Sequence, residues 1–345
     1  MLEPHRAALN ATGSGRGIRG EDEMQSCRLL EKKSGHATEV DFATALEAAR
    51  GGNGYVYIHL SEPTQEELES IARELDLHEL TIEDLQNDRV RSKVEEFENH
   101  LFVVLKAPNF AGDRDSLEVV NLNLLLFRNT LICVHRKPVA AIQEFEEELS
   151  RRPAIMQRGP SFIMYRILDR LVDGYFPVLD DIDETTDDIQ TRLFERFDPS
   201  VSSLIFAVKT RIMHLHRRIG PQREILMNLA NRPEALIPPK IQIYYRDVYD
   251  HIIRIHDALE SYRDVLQSAM DSYMTLVSYR MNQVMKVLSV VATIMLPLSL
   301  LAGVFGTNFE FLPGSHYRYG FWVFVGVLAA IGTASAIYFK KRHWF

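Results

Sequence analysis

A short polar triplet, Gly306, Thr307 and Asn308, lies between two long apolar segments near the end of the sequence. Residues 287–305 and residues 320–339 contain no charged side chain, and each segment is long enough to cross a bilayer as a helix. Glycine lets the backbone approach a ligand or a neighbouring chain closely, and an asparagine amide oxygen accepts hydrogen bonds. A Gly-x-Asn sequence at a membrane edge therefore indicates a site with a specific geometric use.

A row of small and polar residues leads along the preceding segment towards this triplet. Steps of four and three residues follow one face of a helix, and from Asp271 they reach Thr275, Ser278, Asn282, Met285, Ser289, Ala292, Leu296, Ser299 and Gly303. Hydroxyl groups on a membrane helix can bond to another helix or to their own backbone. The alternative is a water-filled axis, lined by one face of each helix in a symmetric ring. We favour this pore because the row continues beyond the apolar segment.

An apolar row precedes the polar one and predicts a long helix over residues 241–306. It repeats every seven residues for five repeats, and it comprises Ile241, Tyr245, Val248, Ile252, Ile255, Leu259, Tyr262, Leu266, Ala269, Tyr273 and Leu276. A helix on a globular core would drift from this strict period, so the row indicates packing along the whole length. We expect a stalk helix that continues into a first span at about residues 287–305.

The remaining C-terminal segments follow from charge and hydropathy. We expect an outer loop at 307–319, a second span at 320–339 and a basic tail at 340–345. Lys286 and the tail place positive charge on one side of both spans, whereas Arg318 is the single lysine or arginine of the loop. This asymmetry predicts that both termini are cytoplasmic. With no visible secretory signal or transit peptide, we expect a multi-pass protein of a bacterial inner membrane.

The composition argues against several functions. The formal net charge is −8, so nucleic acid is not an expected main partner. The two cysteines, Cys27 and Cys133, have no C-x-x-C spacing, and we expect no thiolate metal site. No nucleophile and base stand together in a recognisable pattern, so we do not expect an enzyme.

The first two-thirds of the chain predict an α+β cytoplasmic region. Residues 1–36 are rich in glycine and mixed in charge, without periodicity, and we expect a flexible tail. Residues 37–138 mix strand and helix patterns in an α/β domain. Residues 139–240 are expected to be helical, with long helices at about 160–195 and 199–230. The first of these helices carries the acidic sequence DDIDETTDD, either as a solvated face or as a surface that attracts cations.

Several elements of this region are predicted individually. Residues 54–60 and 100–110 are typical of strands, and a hairpin is expected around Arg128 and Asn129. Thr64 and Glu67 have the spacing of a capping box at the start of an amphipathic helix. A charged amphipathic helix is expected over residues 140–152.

Three segments resemble a known family: YYRDVYDHIIRIHDALESYRDVL, NQVMKVLSVVATIMLPLSLLAGVFGTNFEFLP and YFKKRHWF. The similarity extends more weakly to LTIEDLQNDRVRSKVEEFENHLFVVLKAP. On these motifs the chain resembles the CorA family of divalent-cation transporters, two-span proteins with a Gly-x-Asn signature. The resemblance covers about residues 40–345.

This resemblance implies a homopentameric funnel with the membrane and divalent cations as its further partners. Gly306, Thr307 and Asn308 would form an outer selectivity ring, with Glu310 in the loop beside it. The cytoplasmic entrance of the pore would match Asp271 and Asn282. The rest of the polar row would line the axis, with Met285, Ser289, Leu296, Ser299 and Gly303 among its members.

The resemblance also implies metal sites that regulate the pore. Mg²⁺ would be both the transported ion and the regulatory ion. The regulatory sites would lie between subunits, at carboxylates matching Glu83 or Asp84 and Asp247. The basic tail would form a positive collar at the membrane, with the negative tips of the acidic helix pair beneath it.

The chain departs from the family pattern at three positions. Thr307 replaces the methionine of the usual Gly-Met-Asn, Gly314 matches a position that is often acidic, and Leu296 matches a frequent methionine. Zinc-transporting relatives of the ZntB branch also differ at the middle position of the triplet.

Three functions therefore stay open. The first is a channel-like Mg²⁺ transporter, which could extend to Co²⁺ and Ni²⁺, and the second is a Zn²⁺ transporter in which His316 could bind the ion. The third is a membrane-anchored metal sensor that does not conduct.

Overall fold

The computed structural model describes residues 25–31, 36–52, 54–87, 90–109, 118–195, 198–231, 236–307, 317–342 and 344. Asn308, Glu310, Gly314 and His316, on which several of the predictions above fall, lie outside these residues. The chain divides into two compact units. The first comprises residues 1–185 with 208–263, and the second comprises residues 186–207 with 264–345.

The first unit is built on a mixed sheet, seven-stranded over the part of the chain that the structure describes. Its strands are β1 Gln25–Glu31, β2 Ala37–Glu39, β3 Gly54–Ser61, β4 Lys93–Glu96, β5 Leu101–Asn109, β6 Glu118–Leu126 and β7 Thr130–His135. Their spatial order is β2-β1-β3-β7-β6-β5-β4. The central strands β3 and β7 run parallel, with Val56 opposite Thr130, and the other neighbouring pairs are antiparallel.

Helices follow the strands and dominate the second half of the chain. They are α1 Phe42–Gly51, α2 Gln65–Glu74, α3 Glu79–Gln86, α4 Ala140–Arg151, α5 Pro160–Asp173, α6 Phe176–Glu195, α7 Ser200–Asn231, α8 Pro239–Phe305 and α9 Gly320–Lys341. A 3₁₀ turn, Pro153–Arg158, joins α4 to α5. The predicted long helix is confirmed by α8, which is 67 residues long.

The core of the first unit lies on both faces of the sheet because side chains alternate along each strand. Val56, Ile58 and Leu60 of β3 belong to one buried cluster with apolar residues of α1, α2 and α3. On the other face, the ring of Tyr57 packs edge-on against Phe145 of α4, with 5.5 Å between centroids. Burial on this scale, at about 1.5–3 kcal/mol for each large apolar side chain, stabilises the layered arrangement.

Several local predictions are confirmed. Phe127 N donates to Thr130 O at 2.8 Å and closes the β6–β7 hairpin around Arg128 and Asn129. The capping box of α2 is complete, because the side chains of Thr64 and Glu67 each accept from the backbone N–H of the other residue. The predicted strands at 54–60 and 100–110 and the helix at 140–152 correspond to β3, β5 and α4.

The expectation of a flexible tail over residues 1–36 is wrong for its described part. Residues 25–31 form β1, which pairs with β3 along its whole length and buries Cys27 and Leu29. At the end of this pairing Gly54 has φ 143°, and a Cβ there would collide with the Leu30 carbonyl oxygen. Tertiary pairing therefore makes a strand from a segment whose few apolar residues give no clear periodicity.

The expectation of one helix over about 160–195 is also wrong. The helix is interrupted by a turn at Gly174 and Tyr175, which separates α5 from α6. Pro177 lies in the first turn of α6, and in a continuous helix its ring would clash with the Asp173 carbonyl. A side chain at Gly174 would also press on the Pro108 ring, because its Cβ would lie 3.2 Å from Pro108 Cγ.

The two cysteines lie on opposite faces of the sheet and are both free and buried. Burial raises the pKa of the Cys27 thiol to about 12, and it also raises the pKa of the Cys133 thiol well above its usual value. Neither thiol is therefore ionised near neutral pH.

Candidate ion-conduction site

The apolar row of α8 lies on its buried face. Ile241, Tyr245, Val248, Ile252, Ile255, Leu259, Leu266 and Ala269 are all less than one-tenth exposed. Tyr245 also donates its hydroxyl to the Ser161 carbonyl at 2.7 Å, so its polar end is satisfied. The seven-residue period therefore identified the packing face of α8 over residues 241–269.

Within the second unit, α8 and α9 pack through another face of α8. Val290 is buried, and Ile294, Leu298 and Leu301 are half-buried. A Cβ at Gly332 of α9 would lie 3.7 Å from Leu298 Cδ1, and the rings of Phe305 and Phe324 lie 4.6 Å apart.

The predicted pore row lies on the opposite side of α8 from this contact. At about 100° per residue, the directions of Ser289, Leu296, Ser299 and Gly303 differ from those of the α9-facing residues by roughly half a turn. Nine members are exposed in the single chain: Asp271, Thr275, Ser278, Asn282, Met285, Ser289, Leu296, Ser299 and Gly303. Ala292 is half-buried. The structure thus leaves the polar face of α8 uncovered by its own second span.

The described part of the Gly-Thr-Asn triplet closes the end of α8. Gly306 N donates to Ala302 O at 2.9 Å, and a Cβ at Gly306 would lie only 3.1 Å from the same oxygen. Thr307 donates its hydroxyl to Val304 O at 2.7 Å and its backbone N–H to the same carbonyl at 3.3 Å. Thr307 therefore caps the helix, a role that the sequence analysis did not predict.

The predicted regulatory carboxylate Asp84 lies beside a lysine. Lys93 Nζ is 2.5 Å from Asp84 and 2.7 Å from Glu95, and all three side chains are largely buried or half-buried. Burial alone would lower the pKa of Lys93, but the two carboxylates outweigh it and hold that pKa above its usual value. Glu83, one position earlier in α3, is exposed. Lys93 could not be assigned to this site from the sequence, because β4 brings it to α3 only in the folded sheet.

The second predicted regulatory carboxylate, Asp247, lies near a different group. His251 is 3.2 Å from Asp173 and 4.0 Å from Asp247. Asp169, Asp173 and His251 could together hold a metal ion, because their ligand atoms lie within 4.8 Å of one another. Burial and the neighbouring charge of Asp173 raise the pKa of Asp169. The i,i+4 spacings from Asp169 to Asp173 and from Asp247 to His251 could have revealed this group.

Among the described residues, neither group of close metal-ligating side chains includes Glu83, Asp84 or Asp247. The side chain of Asp247 is 62% exposed. Within one chain these three predicted residues therefore do not form a close group of metal-ligating side chains.

The apolar surface of the second unit is unusual for a protein in water. Leu296, Leu300, Phe321 and Trp322 are each about 70% exposed, and α9 has no buried residue. Both α8 and α9 are long and apolar enough to cross a membrane. A helix that is apolar all round and still uncovered is typical of a membrane span, because a soluble protein would bury it. The fold and the site therefore define a two-span membrane protein whose long helix carries a polar row.

Comparison with known proteins identifies the family. The sequence profile described as "CorA-like Mg2+ transporter protein" matches residues 52–341. The chain is 34% identical over 269 residues to the cobalt/magnesium transport protein CorA of Thermotoga maritima, which covers 78% of this chain and 77% of that protein. It is 25% identical over 294 residues to the protein of the same description from Methanocaldococcus jannaschii, covering 84% and 91%.

The fold agrees with these sequence matches. The complete structure of the CorA magnesium transporter from Methanocaldococcus jannaschii superposes with a TM-score of 0.79 at 22% identity, covering 93% of this chain and 99% of that one. The chain belongs to the CorA family of divalent-cation transporters.

Proposed function

We propose that five copies of this chain form a channel that carries Mg²⁺ across the membrane. The observation that carries this proposal is the position of the polar row, on the face of α8 opposite its contact with α9. Polar side chains on a membrane helix need a neighbour or water, and small side chains let neighbouring helices approach closely. A symmetric ring of α8 helices would give the row both and would place Gly306 and Thr307 at one end of the axis.

The triplet suits an ion that keeps its water shell. Mg²⁺ holds water tightly and demands octahedral geometry, so amide oxygens from Asn308 can hydrogen-bond to its hydration shell. A ring of carboxylates would instead bind the ion directly and retain it. A divalent ion that crosses 100 mV gains about 4.6 kcal/mol, which is twice the value for a single charge, so the membrane potential suffices as a driving force.

Gating follows from carboxylates that face one another across subunits. Cytoplasmic Mg²⁺ would bridge Glu83 or Asp84 of one subunit to Asp247 of another and hold the ring closed. Loss of the ion would leave like charges facing each other and loosen the assembly. In this arrangement both termini are cytoplasmic, the basic tail lies at the inner face of a bacterial inner membrane, and the loop 307–319 is outside.

A flux assay tests the pathway. The full-length protein would be placed in liposomes that contain a Mg²⁺-sensitive dye, under an inside-negative potential. Wild type should admit Mg²⁺, and Asn308→Ala should abolish the influx. Thr293→Val is the matched control, because the Thr293 hydroxyl donates to Ser289 O of its own helix and lies off the polar row. Equal influx in wild type and Asn308→Ala would contradict the pathway.

Thr307→Met separates the remaining functions. If wild type passes Zn²⁺ but no Mg²⁺, and Thr307→Met gains Mg²⁺ influx, the threonine sets selectivity and the protein is a Zn²⁺ transporter of the ZntB type. If a folded pentamer passes none of Mg²⁺, Co²⁺, Ni²⁺ or Zn²⁺ in any variant, the protein is a non-conducting metal sensor.

A further inference from the structure

A histidine pair between α7 and α8 forms a cluster that the proposed ion pathway does not use. His216 lies on α7, and His256 and Glu260 lie one turn apart on α8. One ligand atom from each of the three side chains lies within 4.8 Å of the others. The i,i+4 spacing of His256 and Glu260 places both on one face of α8, opposite His216.

The cluster is buried on one side and open on the other. His256 is 9% exposed, whereas the side chains of His216 and Glu260 are 39% and 46% exposed. The two imidazole rings lie 4.6 Å apart with 46° between their planes. An ion could therefore reach the cluster from solvent on the side of Glu260 and bind the largely buried imidazole of His256.

Each histidine carries a buried nitrogen without a hydrogen-bond partner. These atoms are His216 Nε2 and His256 Nδ1. His216 Nε2 is 3.8 Å from Glu260, and His256 Nδ1 is 3.7 Å from Asp257, and both distances are too long for a hydrogen bond. A buried polar atom without a partner requires an explanation, and coordination of a metal ion is one explanation for an imidazole nitrogen.

We propose that His216, His256 and Glu260 bind a divalent transition-metal ion of the Zn²⁺, Co²⁺ and Ni²⁺ class. Two imidazoles and one carboxylate suit these metals, whereas Mg²⁺ prefers oxygen ligands and keeps its water. Bonds of about 2.0–2.1 Å in a tetrahedral site place ligand atoms roughly 3.3 Å apart. Movements of about 1 Å in the two exposed side chains bring the present separations to that value. Water fills the fourth position, and the bound ion links α7 to α8.

This site is separate from the carboxylates of the proposed gate. Its ligands are nitrogen-rich and all lie in one subunit, so it needs neither a neighbouring chain nor Mg²⁺. Its existence does not depend on conduction, and a protein that fails the flux assay could still bind the ion here.

Co²⁺ binding to the chelator-stripped, full-length protein tests the proposal. Calorimetry would count the ions, and the visible absorption of bound Co²⁺ would report nitrogen coordination, both in a large excess of Mg²⁺. We expect one Co²⁺ per chain, displaced by Zn²⁺ and not by Mg²⁺. His216→Gln and Glu260→Gln should each weaken binding at least tenfold, and both side chains are exposed enough for the fold to tolerate the change.

Two matched variants serve as controls. Asp257→Asn changes the exposed neighbour of His256, and His251→Gln removes the imidazole from the group around Asp173. Both should keep the Co²⁺ spectrum and bind within threefold of wild type. Loss of the signal in His251→Gln instead, or equal binding in all variants, would overturn the proposal.

Discussion

Lys93 occupies the position that a metal ion would take beside a predicted regulatory carboxylate. Its ammonium group lies within 2.7 Å of both Asp84 and Glu95 and already neutralises part of their charge. A Mg²⁺ ion that binds Asp84 must therefore share the carboxylate with Lys93 or displace it. If Asp84 binds Mg²⁺ as proposed, this competition would lower its apparent affinity for the ion, and Lys93 would reduce the repulsion between the two carboxylates when the ion is absent.

Replacing Lys93 with glutamine should make the stability of the protein depend more strongly on Mg²⁺. Without the ammonium group, Asp84 and Glu95 repel each other, and we expect a loss of about 1 kcal/mol and a fall in Tm of about 2–4 °C in Mg²⁺-free buffer. Added Mg²⁺ should restore more of the Tm than it adds to wild type. The measurement is thermal unfolding of the full-length protein in detergent over a Mg²⁺ series.

Arg50→Gln is the control for this experiment, because Arg50 pairs with Glu74 on the exposed surface. It should change Tm little and leave the Mg²⁺ response as in wild type. An unchanged Mg²⁺ response in Lys93→Gln would mean that Asp84 is not a ligand.

At the scale of elements, a carboxylate on α4 holds the end of α5. Glu148 accepts from Arg166 at 2.9 Å and from Arg170 at 2.5 Å, and its side chain is 17% exposed. Burial would raise the pKa of Glu148, but the two guanidinium groups outweigh it and lower that pKa. Glu148→Ala should cost about 3 kcal/mol, because it leaves two half-buried arginines without their shared partner.

The neighbouring residue gives the comparison for that prediction. Glu147 pairs with Arg151 on the surface, where both side chains are about 70% or more exposed. Glu147→Ala should therefore cost less than about 0.5 kcal/mol. Denaturant unfolding, followed in both variants and in wild type, checks the difference, and equal losses would refute the role assigned to Glu148.

Elements with a strong periodic pattern could be predicted from sequence, whereas those defined by distant contacts could not. The long helix α8 follows from one apolar row, and α2 follows from its capping box, because both signals are local. Strand β1 depends on pairing with β3, a tertiary contact that overrides the local pattern. The break between α5 and α6 has a local cause in Pro177, which the sequence analysis did not use.

The same division holds for the sites. The polar row of α8 is a property of one helix, so its face could be derived by counting residues. The pairing of Asp84 with Lys93 and the cluster of His216 with His256 each join residues from two different elements. Their proximity depends on how the elements pack, which periodicity does not report.

At the scale of the whole molecule, two buried histidines should make stability depend on pH. Burial lowers the pKa of His100 and of His135 to about 4 each, and the neighbouring imidazoles of His78 and His59 add to the effect. Unfolded histidine has a pKa of about 6.5, so between pH 6.5 and 4 the unfolded chain binds more protons than the folded one.

Stability should therefore be complete above pH 6.5 and decline as the pH falls towards 4. Each histidine contributes a slope of up to about 1.4 kcal/mol per pH unit in this window. Chemical unfolding of the full-length protein at several pH values measures the slope, and the double variant His100→Gln/His135→Gln should flatten it. A slope that the double variant retains would assign the pH dependence to other groups.

The burial of both cysteines has a practical consequence for testing the proposed pore. Cys27 and Cys133 are the chain's two cysteines, and neither thiol is accessible or ionised at neutral pH. The natural protein should therefore not react with thiol-labelling reagents, and an introduced cysteine can be labelled without removing these two. A cysteine introduced at Thr275, Ser289 or Ser299 should react with a charged, membrane-impermeant maleimide applied to one side. One introduced at Leu298, against α9, should stay unmodified, and the reactive positions would trace the water column residue by residue.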